Sequence, residues 1–425
     1  MFKPKRIYEY LGDDSATLNA RARARCPSCS PPVVPTIPET VGEPLLISNK
    51  HTNVSCDAID DHRFVVATTM PGSGHPYLYG CYVGIFEAGI DGAPTPILLD
   101  EVVIDPSDTF IAIDVVVLTS TKFIVYLQDT TPSPDALRAY VFTIDGSNQL
   151  TYAAKQTVGN VDVFNVELSA ARISDTKSVL CYTYSVAGPG LGYTSGRVVT
   201  LDPATDIITM GAEGMTADLI GGSYFDMVYS GSGTIFYLFC HYKGADISTK
   251  PKLLTFDVAS GVPVFGTASS AGVQYTGATT RAMALVPGTT KVVCAQNTIG
   301  YNASFEVIPV GGTPAAVNYT TETRFSGCDI DTIVTRAPSG DIKMRILSAY
   351  TDASPALPST LILTHFTWTG SDFTQDGPAT IVEQYAGGDY ADIKLSTTGM
   401  SATRYAGVYT RTDNTMRVFV LDTGD

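Results

Sequence analysis

The sequence predicts an all-β fold assembled from seven repeats of one strand pattern. Three observations point to it. Gly (38), Pro (25) and Tyr (23), with abundant Thr, Val and Ile, favour strands and turns, whereas Leu/Glu/Lys/Ala-rich periodic stretches that would make helices are scarce. Two apolar segments separated by a turn recur about every 50 to 58 residues. A tight-turn signal then closes the third segment of each repeat.

The second segments are the clearest copies: Arg63 to Thr69, Phe123 to Leu127, Val179 to Tyr184, Ile235 to Tyr242, Val292 to Ala295, Ile342 to Tyr350 and Tyr405 to Thr410. Each precedes a Gly/Pro/Ser/Thr-rich loop and a third segment, such as Leu137 to Ile144, Arg197 to Leu201, Lys252 to Val258 or Leu361 to Trp368. The turn signals are Asp91-Gly92, Asp145-Gly146, Asp202-Pro203, Ser260-Gly261, Gly311-Gly312, Thr369-Gly370 and Thr423-Gly424. A fourth segment follows in all units but the seventh, for example Ile97 to Val102, Tyr152 to Val158, Ile207 to Gly211 and Ile381 to Tyr385. A three-stranded last unit would leave an open edge, which folded β proteins avoid. The segment from 41 to 49 has the length and polarity of a fourth strand and no other place in the repeat, so it is expected to pair with Met416 to Leu421.

This period and closure resemble those of a seven-bladed β-propeller closed by an N-terminal strand, although the WD dipeptide and the other named blade signatures are missing. The resemblance covers residues 41–425, and residues 1–40 form a separate arm. The prolines 31, 32, 35 and 38 make the end of that arm an extended linker. A short helix over Ser15 to Arg25 is a further expectation.

The formal net charge of -15 argues against nucleic-acid binding, because that affinity comes from Lys and Arg neutralising phosphates. No apolar run reaches the roughly 18 residues needed to span a bilayer. The arm is the exception in charge: in the first 25 residues Lys3, Lys5, Arg6, Arg21, Arg23 and Arg25 oppose only Glu9, Asp13 and Asp14, which suits docking on an acidic protein surface. Of the eight cysteines, Cys181, Cys240 and Cys294 sit in apolar strand runs, where a thiol is a small buried hydrophobe. Cys26 and Cys29 supply two thiolates where structural zinc takes four, so no metal is assigned. No apolar stretch marks a secretory signal, and synthesis in a reducing cytoplasm fits.

Aligning the first strands places Asp57, Asp114, Glu167, Asp226, Arg281, Asp331 and Asp392 at one equivalent position, expected to face or flank the central channel. One reading is a ring for hard cations, which favour several carboxylate oxygens. The reading preferred here is structural: each carboxylate accepts backbone N–H groups and fixes the spacing of the blades. The histidines show no metalloprotease spacing, the Gly-rich segments lack a phosphate-loop lysine, and no nucleophile or general acid is assigned. The loops after the second strands carry candidate recognition residues, His75 and Tyr77, Tyr193, and Tyr301, since tyrosine on a Gly/Ser/Asn-rich loop offers area and a hydroxyl.

In composition the chain resembles tail and capsid-surface proteins of bacteriophages: acidic, Lys-poor and rich in Thr, Ser, Ala, Val and Gly. That resemblance implies a non-enzymatic virion protein assembled in the host cytoplasm. It would need no cofactor, would be tethered through residues 1–40 to other virion structural proteins, and would offer its loops to a host surface glycan or protein. The alternatives are an exported propeller enzyme or lectin, and an intracellular scaffold that binds proteins.

Overall fold

The computed structural model describes residues 39–41, 45–47, 53–70, 80–89, 95–106, 108–130, 136–160, 168–185, 192–216, 225–231, 233–240, 252–267, 269–270, 281–296, 304–309, 318–319, 326–337, 339–351, 359–385, 394–401, 403–410 and 415–423. These residues form strands and turns with no helix. They make seven antiparallel sheets, the blades, six of them running outward in chain order and the seventh taking its outer strand from the start of the chain. The inner strands are Val54–Ala58, Phe110–Thr119, Leu168–Ser174, Phe225–Tyr229, Arg281–Leu285, Ser326–Arg336 and Leu395–Gly399. Each inner strand lies beside the next, and the seventh lies beside the first. The protein is a seven-bladed β-propeller.

Second strands run Arg63–Met70, Lys122–Asp129, Lys177–Ser185, Ile235–Cys240, Lys291–Gln296, Ile342–Thr351 and Arg404–Thr410. Each is covered by a blade on either side, so both of its faces are apolar: Phe123 to Leu127 are all fully buried. The core is accordingly divided into clusters between neighbouring blades. One joins Val65, Val83 and Ile85 of blade 1 to Val115, Phe123 and Tyr140 of blade 2, and equivalents fill the other junctions.

The outer strands are weaker. In blades 2, 3, 4 and 6 the outer strand is broken in two, as in Leu150–Tyr152 and Gln156–Asn160 of blade 2 or Ile207–Met210 and Gly214–Met215 of blade 3. Short broken edges present little continuous backbone for another chain to pair with. The N-terminal segment closes blade 7 in the same form. Leu45–Ile47 pairs with Val418 to Met416, and Glu39–Val41 pairs with Thr423 to Leu421. The closing strand therefore begins at Glu39 rather than 41. Glu39 and Thr40, expected in the arm, belong to the sheet.

Candidate functional site

The inner strands surround a central cavity of about 980 Å³, lined among others by Ser55, Asp57, Asp114, Arg172, Asp226, Asp331, Lys394 and Ser396. Four carboxylates of the expected ring, Asp57, Asp114, Asp226 and Asp331, meet here, each with an edge open to the cavity. Asp226 has the simplest bonding. Its Oδ1 accepts the N–H of Met227 and its Oδ2 the N–H of Met283 in blade 5, both at 2.7 Å. Asp57 accepts Ala58 N–H and, from blade 2, Val117 N–H, both at 2.8 Å. Asp114 accepts Val115 N–H at 2.8 Å, Ala170 N–H of blade 3 at 2.6 Å and the Ser55 hydroxyl of blade 1 at 2.6 Å. Asp331 accepts Thr332 N–H at 2.7 Å and, from blade 7, the N–H and hydroxyl of Thr397 at 2.6 and 2.8 Å.

Each of these carboxylates thus ties its own strand to the next blade. At the seam the device changes: Ser396 and Thr398 of blade 7 accept the N–H groups of Cys56 and Ala58 through hydroxyls, at 3.1 and 3.2 Å. Glu167 and Asp392 lie outside the described residues. The donor in blade 3 stands three residues after position 167. In blades 5 and 7 the donors are Met283 and Thr397, and three residues before them stand Thr280 and Lys394. By that spacing the sequence alignment is displaced at Arg281 and Asp392.

Burial, partly offset by the N–H donors, pushes Asp57, Asp114 and Asp226 up to about 6, and burial with the charge of Asp226 pushes Asp331 up to about 8. The folded state binds these protons more tightly than an unfolded chain with its carboxyls at 3.8. Their contribution to stability is therefore greatest in acid, falls as pH rises from about 4 through about 6, and falls to about 8 for Asp331. Melting temperature is expected to rise when pH is lowered from above 8 toward 6. In Asp226→Asn the amide accepts one N–H where the carboxylate accepted two and turns an NH₂ on the other, costing on the order of 1 to 3 kcal/mol. The variant should melt lower at pH 8 without any change in bound metal. Loss of a stoichiometric divalent ion would instead support the cation ring. Among the described residues no group of three or more His, Cys, Asp or Glu side chains is placed to hold a metal ion.

A second set of ties went unread in the sequence. Arg63, the first residue of its second strand, donates to Asn148 Oδ1 in the turn of blade 2 at 2.6 Å. Lys122, at the same position in blade 2, pairs with Asp206 in the turn of blade 3. Asn148 and Asp206 both have left-handed backbone, φ 62 and 57, which Asn and Asp tolerate. The signal was present: Arg63, Lys122, Lys177, Lys291 and Arg404 all open second strands.

The other expected residues are separated from the cavity. The basic residues of the arm, Cys26 and Cys29, the proposed short helix, and His75, Tyr77 and Tyr301 lie outside the described residues. Tyr193 is placed differently from the expectation: it stands in the third strand of blade 3, Gly192–Asp202, paired with Tyr184 and half-buried, not at a loop tip. The strand ends still show where these connections attach. Segments 71–79, 186–191 and 297–303 each link a second strand to a third, so they join blades 1, 3 and 5 on one face. The hairpin turns lie on the opposite face.

No protein-family model matches this chain, and no curated protein matches it in sequence. Among solved structures it is similar to the BP39L lectin from Burkholderia pseudomallei at 8% identity, over 89% of this chain and 98% of that one, with a TM-score of 0.54. It is similar to a protein of unknown function from Dyadobacter fermentans at 11% identity, over 91% and 100%, TM-score 0.51. Sqt1 from Chaetomium thermophilum is similar at 9% identity, over 87% and 97%, TM-score 0.50. At such identities the likeness concerns the fold, and the fold it points to is the propeller.

Proposed function

We propose that this chain is a non-enzymatic structural protein of a bacteriophage particle, in which the sequence before Glu39 anchors the propeller and the opposite face is presented outward. The observation that carries this reading is the opposition of the two ends. Glu39 pairs with Thr423, the last residue of a third strand, so the arm joins the propeller at the hairpin face. The connections that contain His75, Tyr77 and Tyr301 join the other face. A tether below and binding loops above is the arrangement a displayed module needs.

Binding rather than catalysis is supported by the cavity, where both oxygens of Asp57, Asp114, Asp226 and Asp331 accept main-chain N–H groups. A host surface glycan or protein is the ligand class proposed for the long-connection face. The test is mass spectrometry of purified particles from the source: the full chain should be present, and a chain starting at Glu39 should be absent. Normal incorporation of the shortened chain would mean that attachment runs through the blades, and absence of the full chain from intact particles would end the virion reading.

A further inference from the structure

The margin of the hairpin face carries an exposed apolar residue in each of four consecutive blades, paired across the strands with an acid in blades 1, 3 and 4. In blade 3 the exposed Ile207 stands opposite Asp202, and in blade 4 Val264 stands opposite Asp257. In blade 1 Ile97 stands opposite Glu87. In blade 2 Tyr152 leans on the Phe142 ring beside the turn that begins at Asp145. The apolar side chains of Ile97, Tyr152, Ile207 and Val264 are 51%, 43%, 57% and 60% exposed. The carboxylates of Asp145, Asp202 and Asp257 bond to neighbouring turn groups, namely Ser147 and Gln149 N–H, Ala204 N–H, and Ala259 N–H with the Thr234 hydroxyl. None of the three is paired with a cation among the described ion pairs, which include Lys122 with Asp206.

Beyond the Arg63 and Lys122 ties to Asn148 and Asp206, the acids of this arc left without a cation among the described ion pairs include Asp145, Asp202 and Asp257, and residues 1–38 are apolar and positive. Two basic clusters, Lys3 to Arg6 and Arg21 to Arg25, flank the stretch Ile7 to Leu11. The arm also joins the propeller on this same face, at the outer edge of blade 7, next to blade 1. Fully extended it would span ~125 Å at about 3.3 Å per residue, ample to pass blades 1 to 4. Being tethered, it meets its own arc at a far higher effective concentration than any second copy does.

We propose that the arm lies back along the arc of its own propeller, its basic residues against Asp145, Asp202 and Asp257 and its apolar stretch over Ile207 and Val264. The contact goes beyond the anchoring role and stands whether or not the protein is part of a particle. A partner that takes the arm would uncover the arc at the same moment, which couples attachment to exposure of a second sticky surface.

Zero-length carbodiimide coupling of the full-length protein tests this, since it joins a lysine amine to a carboxylate only where the two touch. Lys3 or Lys5 is expected to be joined to Asp145, Asp202 or Asp257 within the monomer band. The yield should drop several-fold in ~1 M salt, where charges are screened within about 3 Å. It should drop similarly in Ile207→Ser with Val264→Ser, whose exposed positions should leave the melting curve unchanged. Coupling of Lys3 and Lys5 to acids elsewhere, no coupling, or coupling confined to a dimer band would each overturn the docking on its own propeller. None of these results bears on whether particles contain the chain.

Discussion

Excising Glu39 to Ile47 is expected to abolish the cooperative melting of the whole propeller near the wild-type temperature, whereas removing residues 1–38 should leave it in place. The segment pairs at six positions with the third strand of blade 7. It also covers Met416, Val418 and Val420, which are fully buried. At about 1 kcal/mol for each net hydrogen bond, with the apolar area added, the loss is on the order of 5 kcal/mol or more. That is a large share of the roughly 5 to 15 kcal/mol that keeps a domain folded. The damage would spread, because the seam between blades 7 and 1 rests on hydroxyls where the described neighbours use carboxylates. The residues just before the excision cannot take over the edge, since prolines 31, 32, 35 and 38 lack the N–H a strand must offer. Circular dichroism melts of the two deletions decide the matter: equal melting temperatures would mean that the ring does not depend on this strand.

What the sequence displays best is the middle of each blade. Second strands are buried on both faces, so a run such as Phe123 to Leu127 stands out whatever its neighbours are. Outer strands carry less information, since one edge is free and most are interrupted, and the broken form of the closing strand was not visible beforehand. The carboxylate position could be seen in blades 1, 2, 4 and 6 because four aspartates recur there. In blades 5 and 7 the equivalent positions are Thr280 and Lys394, which are chemically unlike the aspartates, so no shared residue type marks the register there. Tyr193 was assigned to a loop because its strand begins with glycine, and only the pairing with Tyr184 reveals the ladder. The acid and apolar pairing on the hairpin face could not be read at all, because the two members are cross-strand neighbours around a turn whose register the sequence leaves open.

Gly214→Ala is the single substitution expected to cost most for the fewest atoms. In the structure Gly214 is buried in the second piece of the outer strand of blade 3, paired with Gly196. A Cβ placed there would lie 1.8 Å from the carbonyl oxygen of Pro263 in blade 4 and 2.8 Å from its carbonyl carbon. The obstacle is main chain, so no rotamer change relieves it. Pro263 itself adjoins Val264, which is held in register with Asp257. The methyl group must therefore push blade 3 from blade 4, opening the cluster that packs Cys181 and Val198 against Phe236 and Phe256. Overpacking of this kind costs about 1 to 3 kcal/mol and more where backbone has to move. Gly146→Ala is the comparison, because nothing lies within 4 Å of the added atom, and a surface change of that sort should stay within about 0.5 kcal/mol of wild type. Urea denaturation should give Gly214→Ala a clearly lower midpoint with an unchanged slope, and Gly146→Ala a midpoint near wild type. Equal midpoints for the two would show that blades 3 and 4 do not meet backbone to backbone at Gly214, and that the close approach there is not what holds this edge of the ring.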